Sequence, residues 1–398
     1  MCQSTNFKKV IDFGKNPLVN SLIEEKDLKK KEAVFQLVVE QCQECKLVQI
    51  INPIDAHKIY RDEDYLYFSG DMPGLKDYFR IYANDLKKRF LKKNDLVIEI
   101  GSNDGTMLSC FKNNRILGID PSSNVVLRAI KNSIPTLSDF FSERIAKSIL
   151  RDFGKAKMIY GNNCIAHLDN LNDLMFGVKL LLKDDGVFVV ECNYWGGMVE
   201  NKNYALIYHD HFSYFTLKVW TDFLKKFGME VFDAVITPAQ DGSLRFFASN
   251  EGKYEPTYRF LKLFKEEIDT DLNSYETCQR YEREVKEKAN KLGNLVKDLK
   301  SQGNIIAGYG AAAKGFSILK LAGIDQKQID YFVDDSPAKQ GKYTPVSHIL
   351  IISRQEAENQ LPDYFFITAP NYADIIIKKE KNFQQDGGQF ILSNSTIV

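Results

Sequence analysis

What the chain lacks narrows it first. No apolar run approaches the roughly 18 residues that a membrane-crossing helix needs, and nothing at the N-terminus resembles a signal peptide, so a soluble protein is expected. Net charge is missing too. The 53 Lys and Arg residues balance 53 Asp and Glu, and no overall field draws the chain to nucleic acid or an anionic membrane. The seven cysteines (Cys2, Cys42, Cys45, Cys110, Cys164, Cys192 and Cys278) are odd in number and scattered over 398 residues. That is no disulfide framework, and a reducing cytoplasm suits it best. No repeat or low-complexity tract stands out. The length suits two or three domains and is ample for buried cores.

Histidine is scarce as well, at five residues, yet two of them fall in the run Tyr208-His209-Asp210-His211-Phe212-Ser213-Tyr214. Such a cluster supports a metal site, a proton relay or a crowded strand edge. His-x-His is a metal-ligand spacing on a strand, with Asp210 as a third ligand, but no nearby His, Cys or carboxylate pattern completes it.

Along the chain, the first sixty or so residues are short apolar segments broken by turn signals around Cys42-Gln-Glu-Cys45. They suggest a small ligand-stapled module. From about residue 75 helix and strand patterns alternate, with apolar runs at Leu96–Ile100, Ile116–Asp120, Met158–Tyr160 and Val187–Cys192. Such alternation predicts an open parallel sheet with helices on both faces. Residues 253–302 are rich in Glu, Lys and Arg, with apolar residues at helical spacing, and predict one or two long amphipathic helices between domains. A second α/β pattern starts after Gly303.

The first glycine turn is Glu99-Ile-Gly101-Ser-Asn103-Asp104-Gly105, between a strand and a helix. Gly101 and Gly105 permit a sharp turn and close approach of a ligand to the backbone. Asn103 and Asp104 break the G-x-G-x-x-G pattern, which argues against a pyrophosphate on this loop. The next strand ends at Asp120-Pro121, a carboxylate placed to bind both hydroxyls of a ribose. Asn162 and Asn163 follow the third strand and would close over the ligand. An adenosine with a small charged tail satisfies these features: S-adenosylmethionine (SAM).

The second turn, Gly308-Tyr-Gly310-Ala-Ala-Ala313-Lys314, follows a strand and satisfies G-x-G-x-x-A, with Asp334 or Asp335 about 25 residues on. By itself this is a dinucleotide fingerprint. It keeps open an NAD-dependent oxidoreductase or a sugar-nucleotide-binding protein, beside an N- or O-methyltransferase.

Taken together, these segments resemble the SAM-dependent C-methyltransferases that act on nucleotide-linked keto-deoxysugars. The resemblance spans essentially the whole chain. It is carried by Asp12-Phe-Gly14-Lys-Asn-Pro17-Leu-Val-Asn20-Ser, the loop at 101–105, Gly161-Asn-Asn-Cys-Ile-Ala-His167, the tyrosine–histidine run, Gly242-Ser-Leu-Arg245 and the late glycine loop. It implies an α/β protein: a Rossmann-like methyltransferase domain (71–250) flanked by a zinc-type module (1–70) and by linker helices with a C-terminal Rossmann-like domain (251–398). The active site is then expected between domains, in a cytoplasmic enzyme with no nucleic-acid or membrane partner.

For residues, the resemblance implies His211 as catalytic base, with Tyr208, Asp210 and His167 beside it. Position 210 is Glu in that family and Asp here. Glu99, Gly101, Asn103, Asp104, Gly105, Asp120, Pro121, Asn162 and Asn163 would hold SAM. Tyr65 and Tyr67, in Asp64-Tyr-Leu-Tyr-Phe-Ser-Gly70, with His209, Arg245, Gly310 and Lys314, would meet the substrate. Zinc would be structural, held by Cys2, Cys42 and Cys45. A fourth cysteine would fall before residue 1, so either the chain begins downstream of the native start or the site has three ligands. Zinc is expected to bind weakly here and fully in a chain extended at its N-terminus. The chemistry fits a carbon acid: a ketone's α-carbon becomes a nucleophile on losing a proton to a histidine. A tyrosine or second histidine then stabilises the enolate oxygen.

Overall fold

The computed structural model describes residues 1–18, 21–61 and 65–398. Asn20 of the first motif and Asp64 of the tyrosine-rich segment lie outside the described residues. The chain divides into two compact units, each assembled from three segments. The first is Met1–Phe7, Cys42–Gly196 and Phe212–Ser274; the second is Lys8–Gln41, Gly197–His211 and Tyr275–Val398. No helix among the described residues is long and apolar enough to cross a membrane.

The strands, in chain order, are β1 (Phe7–Asn16), β2 (Phe35–Cys42), β3 (Val48–Ile50), β4 (Leu96–Ile100), β5 (Arg115–Asp120), β6 (Thr136–Ser138), β7 (Ala156–Asn162), β8 (Leu182–Asn193), β9 (Ser213–Tyr214), β10 (Met229–Thr237), β11 (Ser243–Asn250), β12 (Ile306–Tyr309), β13 (Tyr331–Val333), β14 (Ile351–Ile352), β15 (Tyr364–Ile367) and β16 (Gln389–Ile391).

The first unit is built on a seven-stranded sheet in the order β10-β11-β8-β7-β4-β5-β6. Its centre reads as the apolar runs predict: all five residues of β4 are buried. Buried on both sides, a central strand has no polar face to alternate. Neighbouring strands from β6 to β8 run parallel, whereas β11 is antiparallel to both β8 and β10. This edge hairpin makes the sheet mixed rather than purely parallel. Its strands escape the sequence pattern because β10 bulges between Val231 and Asp233. Asp233, wholly buried, is bound there by Arg89, Arg259 and Thr257.

Helices alternate with these strands where the sequence supplies starts. Ser142, Asn170, Thr216 and Thr257 each cap one by accepting a backbone N–H with the side chain. Each such cap satisfies one donor that the helix leaves unpaired. Strand order reverses between β4 and β7, and at such a reversal the loops beyond the carboxyl ends part to leave a crevice. The loops 101–105 and 162–164 follow these two strands.

The second unit carries a five-stranded parallel sheet, β14-β13-β12-β15-β16. The predicted linker is two helices, Tyr258–Asp269 in the first unit and the 27-residue Tyr275–Ser301 in the second. The segment 8–41 also packs in the second unit. Ile23 bridges Tyr343, and Glu32 meets His348 Nε2 at 2.6 Å.

Candidate functional site

In the first unit the backbone of loop 101–105 is folded back on β5. The Gly101 and Ser102 N–H groups donate to the Ile119 carbonyl at 2.8 and 3.1 Å. Gly101 has φ +67°, and a Cβ there would fall 2.5 Å from Cys164 Cβ, so the turn needs glycine. Asn103 also takes a positive φ, of 50°. Its N–H donates to Asp120 Oδ2 and the Ser122 N–H donates to Oδ1, both at 2.9 Å. Burial, opposed by those two N–H groups, pushes the Asp120 carboxyl up to about 6. Each carboxylate oxygen keeps a lone pair for a hydroxyl donor.

The other loop residues are placed as follows. Glu99 is buried, and burial raises its carboxyl well above the usual range. Asp104 accepts the Gly70 N–H at 2.9 Å and the Thr106 hydroxyl at 2.5 Å. Gly105 has φ +76° and faces Ile134. Pro121 follows Asp120 directly, half-buried. Asn162 donates to Met107 Sδ at 2.8 Å. Asn163, at φ 51°, donates its N–H to the Glu191 carbonyl at 2.7 Å.

The tyrosine-rich segment is tied to this loop. Asn103 Oδ1 accepts the Ser69 N–H at 2.9 Å and its Nδ2 donates to the Tyr67 carbonyl at 3.0 Å. Asn124 grips both backbone groups of Tyr65. The Tyr65 ring leans on Tyr60, at 5.4 Å between centroids. The Tyr67 ring is 41% exposed. Tyr60, which the sequence did not single out, places its hydroxyl 2.5 Å from His167 Nδ1. Burial pushes His167 down to about 4, so it is neutral near pH 7.

Arg245 is turned into a buried network. Tyr78 OH donates to Glu191 Oε2 at 2.7 Å and Arg245 Nε to the same oxygen at 2.9 Å. Arg245 also lies over the Tyr82 ring, 3.2 Å from its centroid. Glu191 had a signal: it is a lone acid in the otherwise apolar run Val187–Cys192. Tyr60 had none.

The histidine run belongs to the second unit up to His211. His211 Nδ1 lies 2.7 Å from the Leu206 carbonyl, and Nε2 lies 2.8 Å from the Tyr208 hydroxyl. A carbonyl only accepts, so Nδ1 carries the proton and Nε2 presents a lone pair, to which Tyr208 donates. His209 Nε2 donates instead to the Phe35 carbonyl at 3.3 Å, and burial lowers its pKa. Asp210 is 6% exposed and has no hydrogen-bond partner among the described residues. Burial pushes it up to about 7.

In the late glycine loop, Gly310 takes φ +93°, and Thr368 Oγ1 donates to its carbonyl at 2.6 Å. Lys314 opens the first turn of the helix Ala313–Ala322. Near the N-terminus, in the first unit, the thiols of Cys2, Cys42 and Cys45 lie within 4.8 Å of one another. That spacing suits thiolates around one zinc ion, for which Zn–S is about 2.3 Å. A cavity of about 420 Å³ lies against Cys2 and Cys45, lined also by Glu44, Lys46, Lys218 and Asp222.

Three family models match the chain in succession: "Putative zinc binding domain" over residues 1–60, "Methyltransferase domain" over 75–234 and "C-methyltransferase C-terminal domain" over 238–393. C-methyltransferase NovU of Streptomyces niveus is 30% identical over 396 residues, covering 98% of this chain and 94% of that protein. Among solved structures, magnesium protoporphyrin IX methyltransferase from Synechocystis PCC 6803 with bound SAH aligns at 13% identity. It covers 49% of this chain and 92% of its own, with a TM-score of 0.36. The plantazolicin methyltransferase BpumL in complex with SAH aligns at 13% identity over 44% of this chain and 82% of its own, with a TM-score of 0.35. With a curated relative matched nearly end to end and all three family models in order, the chain belongs to the SAM-dependent C-methyltransferases that join a zinc-binding-type module, a methyltransferase domain and a C-methyltransferase C-terminal domain.

Proposed function

We propose that this enzyme methylates a carbon of a nucleotide-linked keto-deoxysugar in the cytoplasm, with His211 as the base. The observation that supports this best is the hydrogen bond from His211 Nδ1 to the Leu206 carbonyl, which leaves Nε2 as the basic nitrogen. His211 Nε2 takes the proton from the carbon next to the sugar ketone. The C–H electron pair becomes an enolate, and that carbon forms the new C–C bond. SAM, when bound, supplies the electrophilic methyl group. The enolate carbon would take that methyl group as the donor's sulfonium–carbon bond breaks, leaving the methylated ketone, S-adenosylhomocysteine and a protonated His211.

The other residues divide the remaining tasks. Tyr208, whose hydroxyl lies 2.8 Å from Nε2, would turn its O–H from that nitrogen to the developing charge. His167, neutral and steadied by Tyr60, is a second donor for the enolate oxygen. The loop of Glu99, Gly101, Asn103, Asp104 and Gly105, with Asp120, Pro121, Asn162 and Asn163, would hold SAM. Asp120 fits that group because its partly relieved, buried carboxylate still accepts ribose hydroxyls. Tyr65, Tyr67, His209 and Arg245 are assigned to the sugar, and Gly310 and Lys314 to its nucleotide diphosphate at a helix start. In the structure Arg245 Nε donates to Glu191 and His209 Nε2 to the Phe35 carbonyl, so both side chains are already held by the protein's own acceptors. Zinc at Cys2, Cys42 and Cys45 would be structural.

The test is a mass-spectrometric screen of nucleotide-linked keto-deoxysugars with labelled SAM. The expected result is a gain of one methyl on carbon, and solvent deuterium at the acidic carbon when SAM is left out. His211→Asn should abolish both while leaving SAM affinity within about twofold. Methyl transfer to oxygen or nitrogen with no deuterium uptake would defeat the proposal.

A further inference from the structure

The Leu206-Ile207-Tyr208 turn is held on two successive carbonyls by side chains. The Leu206 carbonyl accepts from His211 Nδ1 at 2.7 Å. The next carbonyl, of Ile207, accepts from Ser317 Oγ at 2.5 Å. Ser317 is 5% exposed and lies on the helix Ala313–Ala322. That is the helix opened by the second glycine loop, and it belongs to the same compact unit as residues 197–211.

This helix has little room to move. An added Cβ at Gly315 would meet Thr368 Cβ at 2.7 Å and the Thr368 carbonyl at 3.0 Å. At the far end, the Ala322 carbonyl sits in the notch left by Gly293 of the long helix, where a Cβ would fall 2.1 Å from it. The helix is therefore wedged between sheet and long helix, and Ser317 projects from a fixed frame. The long helix grips the same stretch of chain further back. Tyr281 OH donates to the Asn203 carbonyl at 2.9 Å, and Lys288 Nζ reaches the Asn201 and Lys202 carbonyls at 3.2 Å.

We propose that Ser317 is a positioning residue for His211: by fixing the Ile207 peptide it keeps the Leu206 carbonyl aimed at Nδ1. The ring is thereby locked as the Nδ1–H tautomer, with the Nε2 lone pair toward Tyr208. Without the Ser317 hydroxyl, the buried Ile207 carbonyl loses its side-chain donor. The peptide is then free to tilt, and the two tautomers come closer in energy. The glycine-loop helix thus serves the base, a task that a dinucleotide-binding loop would not have. This inference rests on His211 being the base.

The experiment compares wild-type protein with Ser317→Ala, Ser317→Thr and Ser317→Val. His-selective ¹⁵N labelling reads the His211 tautomer, assigned with His211→Asn. Turnover and KM are measured on a nucleotide-linked keto-deoxysugar that the wild type methylates. Wild type and S317T should show one tautomer, protonated at Nδ1. S317A and S317V should show a mixture, with kcat lower by about tenfold and KM and SAM affinity within about twofold. A single Nδ1–H tautomer in S317A or S317V overturns the proposal, whatever happens to turnover. If S317A does not fold, the near-isosteric Thr and Val pair decides, since the two differ only in the hydroxyl. The two possible failures separate cleanly. Turnover by H211N removes His211 from the mechanism, whereas an inactive H211N beside an unperturbed S317A removes only the role of Ser317.

Discussion

Lys339 Nζ lies 3.0 Å from Asp334 Oδ2, the same oxygen that accepts the Ala311 N–H at 2.8 Å. Asp120, the last residue of β5, accepts two backbone N–H groups in the same way. It has no ion-pair partner among the described residues. One acid is ion-paired within the protein, and the other, among the described residues, is not. Calorimetry should therefore detect SAM binding and no NAD binding. Asp120→Ala should weaken SAM by about tenfold, roughly 1.4 kcal/mol, and Asp334→Ala should leave it unchanged. NAD binding that Asp334→Ala abolishes would instead favour an oxidoreductase.

Asp210 gives a prediction in pH. Burial holds its carboxyl up near 7, well above the usual carboxylate range, so the protonated form suits the folded state. The stability tied to that form is fully present at acid pH, below the unfolded-state pKa. It is lost as pH rises toward about 7. Asp210→Asn removes the ionisation and keeps the shape. Its stability relative to wild type should improve as pH rises from about 4 to about 7, by a few kcal/mol at most. Unfolding midpoints across that range measure it, and parallel curves for the two proteins would contradict it.

Glu191 gives a prediction in stability. Removing it strands Arg245, a cation 9% exposed, without its carboxylate. Breaking one side of such a buried pair costs about 3–5 kcal/mol. Denaturant unfolding of Glu191→Ala should show that loss. Replacing both partners, as Glu191→Leu with Arg245→Met, should recover much of it.

The cysteine triad gives a prediction in metal content. Burial pushes the Cys45 thiol up to about 12, so a cation is needed to draw out its thiolate. With three thiols converging, a tetrahedral ion keeps one position for a ligand from outside the triad. Zinc should thus be weakly held and lost to a chelator within minutes, and Cys42→Ser should abolish binding. Elemental analysis after dialysis reads this. Tight stoichiometric zinc that survives chelation would show a closed site.

Much of this was legible in the sequence because the signals are local. A five-residue apolar run ending in glycine can hardly be anything but a buried strand and turn, and β4 is where it was expected. The acid that ends β5 follows from the same grammar. The hairpin of β10 and β11 was not legible, since Asp233 breaks the apolar pattern and its neutralising partners, Arg89 and Arg259, are remote in sequence. Tyr60 and Ser317 were invisible for a related reason. A hydroxyl gains meaning only from what stands opposite it, here a ring 107 residues away and a carbonyl 110 residues away. The histidine run stood out by composition, but its internal division did not. Only the structure separates His211, fixed at both nitrogens, from His209, committed to the Phe35 carbonyl.

Neither compact unit is continuous in sequence, and residues 197–211 make a short excursion from one into the other and back. Evolution or an engineer therefore cannot exchange the units as cassettes at a single junction. Cutting after Ser274 would leave Lys8–Gln41 and Gly197–His211 attached to the wrong fragment. Buried Leu206, Ile207 and His211 would then be parted from Tyr275–Val398, the rest of their unit. Chimeras between relatives with different substrate preferences would have to carry all three segments of a unit together. Libraries recombined at residues 7, 41, 196, 211 and 274 should fold far more often than those recombined at the borders of the matched family models.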